Sequence, residues 1–177
     1  PAAVMARSNV TLGGVSKVFS LPGLRIGWVA TKDYALMRRM EELKDYTTIC
    51  SSSPSEVLAS IGIRAKDIIV GKNRETVKFN LQACRNFFTG TGKIGSELFE
   101  WHEPHGGTFC YPRMKQDKWG HLTASSYARS MCRDGGIMFL PSSTFFCEDD
   151  DRLRITYGKE ETCRLLQAWE LDLRCRQ

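Results

Sequence analysis

The sequence predicts an α/β protein, in which short strands alternate with amphipathic helices. In the first half of the chain, β-branched and apolar residues form two short runs, 9–13 and 25–30, which are typical of strands. Apolar residues then recur every three or four positions between residues 33 and 88, which is typical of helices. After the glycine-containing stretch 89–92, short strand-like and helix-like segments alternate again. These three observations predict the fold class.

A tight turn is expected between the first two strands. Proline fixes φ and glycine permits positive φ, so Pro22 and Gly23 together favour a turn. The two strands would then lie side by side. We therefore expect Lys17 and Arg25 to emerge on or near the same rim of the sheet.

Three helices are predicted between these strands and residue 88. Asp33 is the expected N-cap of the first, which runs to residue 46. The second begins at Ser53-Pro54-Ser55-Glu56, where a capping box coincides with proline at the first helical position, and is expected to end at Gly71. The third helix, 73–88, is amphipathic, with one apolar face formed by Val77, Leu81, Cys84 and Phe88.

The remainder of the chain predicts a small α/β unit. Residues 99–102 and 108–111 are expected to pair as a β-hairpin across Glu103-Pro104-His105-Gly106-Gly107. A helix at 125–133, short strands at 137–140 and 153–157, and a terminal helix at 159–173 follow. The expected aromatic core residues are Phe99, Phe109, Phe139 and Trp169.

Composition and charge limit the class of protein. Of the 177 residues, 42% are hydrophobic and 25% are charged, as in globular proteins, and no apolar run approaches the roughly 20 residues that cross a bilayer. Seven widely spaced cysteines without a Cys-x-x-Cys pair predict reduced thiols of an intracellular protein. The start at Pro1, without a methionine or a long apolar segment, predicts a cut inside a longer protein. A cytoplasmic location is expected, and a mitochondrial one stays open.

Several kinds of site are not expected. The net charge is +5, but the basic residues are scattered along the chain. The sequence has no zinc-ligand spacing, no aromatic run of the RNA-binding type and no basic region followed by heptads. No nucleic-acid partner is therefore expected. Membrane association is not expected either. His102-Glu103-Pro104-His105 does not form a His-Glu-x-x-His pattern, and proline prevents the helix that would align its histidines, so no metal site is predicted.

One segment carries a specific motif. Residues 16–28 are Ser-Lys-Val-Phe-Ser-Leu-Pro-Gly-Leu-Arg-Ile-Gly-Trp, which resembles the pyridoxal-phosphate signature of class I/II (fold type I) aminotransferases. Seven positions are in register: Ser16, Lys17, Pro22, Gly23, Arg25, Gly27 and Trp28. Further similar segments start at Leu43 (Leu-Lys-Asp-Tyr-Thr-Thr-Ile), Pro54 (Pro-Ser-Glu), Pro104 (Pro-His-Gly-Gly) and Arg154 (Arg-Ile-Thr-Tyr-Gly).

The resemblance covers essentially the whole chain and implies the C-terminal part of the fold type I pyridoxal-phosphate transferase fold. Residues 1–72 would be the end of the large cofactor domain, 73–91 a linking helix, and 92–177 the small C-terminal α/β domain. The family places its other cofactor-binding residues, among them the pyridine-nitrogen aspartate and the ring-stacking aromatic, before the lysine.

The resemblance also implies roles for particular side chains. Lys17 would form the Schiff base with pyridoxal 5'-phosphate and then move a proton at the substrate α-carbon. Arg25 would bind the cofactor phosphate through its planar fork. Arg154 precedes Ile-Thr-Tyr-Gly as the family's substrate-carboxylate arginine does, and Arg152 is the competing choice. Gly14 stands where many members have a phosphate-binding serine, and the N–H groups of a turn at residues 12–15 could serve as an anion nest instead.

The implied function is transfer of an amino group from an amino acid to a 2-oxo acid through pyridoxal phosphate, by a homodimer when the protein is complete. Two alternatives stay open. One is a catalytically inert fragment or degenerate domain that lacks the N-terminal half. The other is a pyridoxal-phosphate-dependent lyase of the same fold, similar to ACC synthase. The identity of the amino acid is also open.

Overall fold

The computed structural model describes residue 6 and residues 9–176. It divides into two compact units, Pro1–Asn73 and Arg74–Gln177. The division into three parts that the resemblance implied stays a prediction.

The first unit begins with an antiparallel pair of strands. β1 (Val10–Gly14) pairs with β2 (Gly27–Thr31), with Leu12 opposite Val29. Both strands fall within two residues of the predicted ranges. The second starts later than predicted because Arg25 has φ +54° and ends a 3-10 turn, Pro22–Leu24, rather than starting a strand.

Two helices follow in this unit. α1 (Tyr34–Asp45) begins after Asp33, whose Oδ1 accepts a hydrogen bond of 2.9 Å from the Leu36 N–H, as the N-cap prediction requires. α2 (Ser53–Arg64) has Pro54 in its first turn, one position later in the helix than predicted, because the helix already begins at Ser53. Its N-cap is Ser52, whose side chain makes no capping hydrogen bond, so the predicted capping box is not formed.

The predicted helix end at Gly71 is wrong. α2 stops at Arg64 because Ala65 leaves the helical region, with ψ +17°. α3 (Lys66–Phe88) then continues through Gly71 without a break. A glycine inside a helix costs only about 1 kcal/mol relative to alanine, which the rest of a 23-residue helix tolerates.

The second unit contains two small antiparallel sheets. β3 (Phe99–Glu100) pairs with β5 (Arg113–Met114). β4 (Phe109–Cys110), β7 (Leu153–Thr156) and β6 (Leu140–Pro141) form the other sheet, with β7 in the centre. The predicted hairpin of 99–102 with 108–111 is therefore wrong, because each segment pairs with a more distant strand. The strand predicted at 137–140 is reduced to Leu140–Pro141.

The helices of the second unit complete its core. They are α4 (Ile94–Leu98), α5 (Gln116–Trp119), α6 (Ala124–Asp134) and α7 (Thr162–Arg176). Trp169 of α7 is 1% exposed, stacks on Phe87 at 4.9 Å, and donates an indole hydrogen bond of 2.7 Å to the Tyr127 hydroxyl. Phe99 and Phe139 are buried beside it as predicted. Phe109 is 48% exposed, so its assignment to the core is wrong.

In residues 9–176 no helix combines the length and the apolar character that crossing a membrane requires.

Candidate functional site

The residues of the motif lie on a closed loop between β1 and β2. The Val15 N–H donates to the Ile26 carbonyl at 3.1 Å, which extends the strand ladder by one bond, and the Leu21 N–H donates back to the Val15 carbonyl at 3.1 Å. Val15 itself is fully buried. The base of the loop is therefore fixed while its outer residues face solvent.

Lys17 lies near the start of this loop and its side chain is exposed. Its backbone carbonyl accepts a hydrogen bond of 3.2 Å from the Ser20 N–H. The next carbonyl, that of Val18, accepts a hydrogen bond of 2.9 Å from the amide of Asn73 on α3. No ion pair forms at the Lys17 amine among the described residues, so this amine is available to a ligand.

Arg25 lies at the far end of the same loop. Its left-handed backbone closes the 3-10 turn, and its Nη1 donates to the Pro22 carbonyl at 3.2 Å. The guanidinium has five N–H donors, so most of the fork stays available for an anion. As with Lys17, no carboxylate in the described part of the chain pairs with it.

The donor set of this loop fits pyridoxal phosphate. The cofactor needs a primary amine for its aldehyde and a cation for its phosphate, and the loop presents one of each. The predicted anion nest at residues 12–15 is wrong, because this segment is strand β1 and its continuation, with the Val15 N–H already used. A Cβ at Gly14 would lie 3.2 Å from the Ile26 carbonyl oxygen, so a serine there would displace the neighbouring backbone.

Arg154 belongs to the second unit, where it lies on the central strand β7 opposite Leu140 of β6. Its guanidinium carbon is 4.5 Å from the centre of the Phe109 ring and 5.4 Å from that of Phe145. Among the described residues it makes no ion pair with a carboxylate. Arg154 thus carries a half-buried positive charge whose neighbours are two aromatic rings.

Arg152 has different surroundings. Its Nε lies 3.8 Å from Oδ1 of the buried Asp151, which also accepts a hydrogen bond from Arg113. Its guanidinium carbon lies 6.0 Å from the centre of the Tyr111 ring. Burial raises the pKa of Tyr111 to about 12, so this ring stays uncharged at neutral pH. A carboxylate therefore already offsets the charge of Arg152, which leaves Arg154 as the better candidate for binding an anion.

Three side chains around these candidates have contacts that no sequence pattern predicts. Asn73 was assigned only as the start of a helix, yet it bonds to the carbonyl that follows Lys17. Phe109 was assigned to the core and Phe145 to no element, yet both contact Arg154. No local pattern marks such contacts, because each joins residues far apart in sequence. The structure contains no group of three or more His, Cys, Asp or Glu residues, within its described part, that could hold a metal ion.

Comparison with known proteins identifies the family. The family described as "Aminotransferase class I and II" matches residues 1–168. The chain belongs to this family. Capreomycidine synthase of Streptomyces vinaceus is 24% identical over 166 residues, which are 93% of this chain and 40% of that protein. Aromatic-amino-acid aminotransferase 1 of Thermococcus litoralis is 27% identical over 165 residues, which are 88% of this chain and 36% of that protein.

Solved structures agree with this assignment. The pyridoxal-phosphate-dependent cyclase OrfR has a TM-score of 0.84 and 25% identity, over 100% of this chain and 46% of its own. A pyridoxal-phosphate-dependent aminotransferase from Streptococcus suis has a TM-score of 0.84 and 21% identity, over 100% of this chain and 45% of its own. These similarities confirm the predicted α/β fold and the resemblance to fold type I aminotransferases. The chain spans about two fifths of the length of the curated relatives it matches.

Proposed function

We propose that the protein carrying this chain is a pyridoxal-phosphate-dependent aminotransferase, which moves an amino group from an amino acid to a 2-oxo acid. The observation that carries the proposal is the closed loop between β1 and β2, which presents the Lys17 amine and the Arg25 guanidinium from one hydrogen-bonded frame. Membership of the aminotransferase family supports it, as do relatives named aromatic-amino-acid and aspartate aminotransferases.

In this proposal each cationic residue has its own role. Lys17 would hold the cofactor at its aldehyde carbon, and its amine would hold and move a proton at the substrate α-carbon. Arg25 binds the phosphate. Arg154 binds the substrate carboxylate, and its planar fork orients the amino acid for proton removal. When bound, the pyridoxal ring supplies the electron sink. A homodimeric state and a cytoplasmic location complete the proposal.

A second candidate reaction is cyclisation of an amino acid. It is favoured by one observation: two of the similar proteins are named capreomycidine synthase and pyridoxal-phosphate-dependent cyclase, with 24% and 25% identity. Both reactions begin with proton removal from the α-carbon, so the same three residues serve either. Product analysis separates them, because transamination yields a 2-oxo acid and an aminated acceptor, whereas cyclisation yields a single ring product without an acceptor.

The test uses the full-length protein that carries this chain. Lys17→Ala is expected to lower turnover by at least about a hundredfold, as general acid–base groups contribute roughly 10²–10⁴. Lys17→Arg retains the charge but not the reactive amine, and should be equally inactive. Lys32→Ala is the matched control and should leave turnover unchanged.

Covalent capture provides a second measurement. Borohydride reduction of the pyridoxal-phosphate-loaded protein followed by peptide mapping should place the cofactor on Lys17. A cofactor adduct on another lysine, with Lys17 unmodified, would contradict the proposal. Absence of any adduct or turnover in the full-length protein would support the alternative of an inert, degenerate domain.

A further inference from the structure

Arg154 is contacted by two aromatic residues that come from different elements of the second unit. Phe109 lies on β4 and its ring centre is 4.5 Å from the guanidinium carbon. Phe145 ends the 3-10 turn Ser142–Phe145 and its ring centre is 5.4 Å away. Both distances fall within the roughly 6 Å over which a guanidinium and an aromatic face attract each other. The two rings are 48% and 39% exposed, so they are surface side chains rather than part of the core.

The backbone ties both rings to the strand that carries Arg154. Phe109 is paired with Thr156, two residues after Arg154. The turn that ends at Phe145 is tied at its first residue, because the Ser142 N–H donates to the Arg152 carbonyl at 2.9 Å and the Ser142 hydroxyl accepts from the Arg152 N–H at 3.2 Å. Ser142 is fully buried. The strand is therefore anchored to the two aromatic elements both before and after Arg154.

The flexibility of the arginine side chain is a general disadvantage when arginine binds a ligand. A long side chain with several rotatable bonds loses conformational freedom when it binds, and that loss reduces affinity. A ring packed on the flat face of the guanidinium restricts its rotation while leaving the N–H edges free. Those edges make the paired hydrogen bonds to a carboxylate. Phe109 and Phe145 both lie within the distance at which a ring can restrict Arg154 in this way.

We propose that Phe109 and Phe145 are positioning residues, which hold the Arg154 guanidinium in one orientation for a carboxylate ligand. The inference rests on the proposed function, in which Arg154 binds the carboxylate of the amino acid. It adds that affinity for this carboxylate depends on two aromatic side chains that need not touch the substrate. The expected signature is a change in KM that exceeds the change in kcat.

The test compares variants of the full-length protein in steady-state kinetics. Phe109→Leu and Phe145→Leu keep apolar volume but remove the ring, and each should raise KM for the amino acid about threefold to tenfold, with kcat changed less than about twofold. Phe109→Tyr and Phe145→Tyr keep the ring and should restore KM to within about twofold. Phe146→Leu is the matched control. Phe146 is the next residue, is 98% exposed, and makes no ring contact with Arg154 in the described structure.

Arg154→Ala distinguishes the carboxylate-binding role of Arg154 from the positioning role of the two rings. If this substitution raises KM and the leucine variants do not, the positioning role is overturned while the proposed function stands. If it leaves KM unchanged, the carboxylate role of Arg154 and the inference fail together.

A measurement on the unsubstituted protein does not depend on any variant folding. The Arg154 Nε–Hε order parameter should be clearly higher than that of the exposed Arg164. Equal mobility of the two side chains would overturn the proposal.

Discussion

Replacement of Asn80 by alanine should destabilise the second unit more than any other single amide substitution on α3. Asn80 is 1% exposed. Its amide donates to the Tyr157 carbonyl at 2.9 Å and to the Lys159 carbonyl at 2.6 Å, and its oxygen accepts a long hydrogen bond of 3.6 Å from the Cys163 thiol. Asn80 therefore connects the long helix to the segment that follows β7, the strand that carries Arg154.

The expected cost follows from these contacts. A hydrogen bond contributes about 1 kcal/mol net, and a buried carbonyl left without a donor costs about 1–3 kcal/mol. The Tyr157 carbonyl is buried, whereas Lys159 lies at the surface and water can replace its partner. Asn80→Ala should therefore lower the free energy of unfolding by about 2–4 kcal/mol. Asn80→Asp has the same shape but places an anion against two carbonyl oxygens, so it should cost more at neutral pH.

Urea unfolding of the 177-residue chain, followed by intrinsic tryptophan fluorescence, to which the buried Trp169 contributes, measures this loss. Gln82→Ala, an exposed amide on the same helix, is the control and should stay within about 0.5 kcal/mol of the unsubstituted chain. The Asn80→Asp variant should recover stability as the pH falls, because burial raises the pKa of the introduced carboxyl and its protonated form can donate one of the lost hydrogen bonds. An Asn80→Ala variant within 0.5 kcal/mol of the unsubstituted chain would refute the reasoning.

Three further predictions concern both units. Arg25→Ala should weaken pyridoxal-phosphate binding in the full-length protein about tenfold to a hundredfold, because a charged hydrogen bond contributes about 1.5–3 kcal/mol. The dissociation constant of Arg25→Lys should lie between those of the unsubstituted protein and Arg25→Ala. An unchanged dissociation constant in Arg25→Ala would exclude the phosphate role. Gly95→Ala should lower the free energy of unfolding by about 1–3 kcal/mol, because a Cβ there would collide with the backbone of α3. Gly71→Ala, whose Cβ would have nothing within 4 Å, should leave the free energy of unfolding unchanged or raise it slightly. The hydrogen bond from Arg85 lowers the pKa of Glu103 below 4.5, so the stability it confers is present above pH 4.5 and is lost as the pH falls through the folded-state value. Arg85→Met should return that pKa towards 4.5 in a carboxyl NMR titration, and an unshifted titration would show that the pair does not persist in solution.

Features set by neighbouring residues could be predicted from the sequence. The Asp33 N-cap, the turn at Pro22 and Gly23, and the proline in the first turn of α2 depend on the conformational limits of single residues and on hydrogen bonds within one turn. The motif at residues 16–28 likewise identified the family, because its chemistry requires a lysine and an arginine at a fixed separation. The roles of Lys17, Arg25 and Arg154 stay predictions.

Features set by distant contacts were decided only by the tertiary structure. Residues 99–100 pair with 113–114, and 109–110 with β7, because alternation of apolar residues specifies a strand but not its partner. In the sequence Asn80 is an ordinary polar position of a helix. In the structure its amide donates hydrogen bonds to two carbonyls, 77 and 79 residues away. Register with the motif favours Arg154 over Arg152, but only the structure shows how their surroundings differ: Asp151 lies against Arg152, and two aromatic rings lie against Arg154. Local conformational preference acts over a few residues, whereas burial and charge pairing act between whichever residues the completed fold brings together.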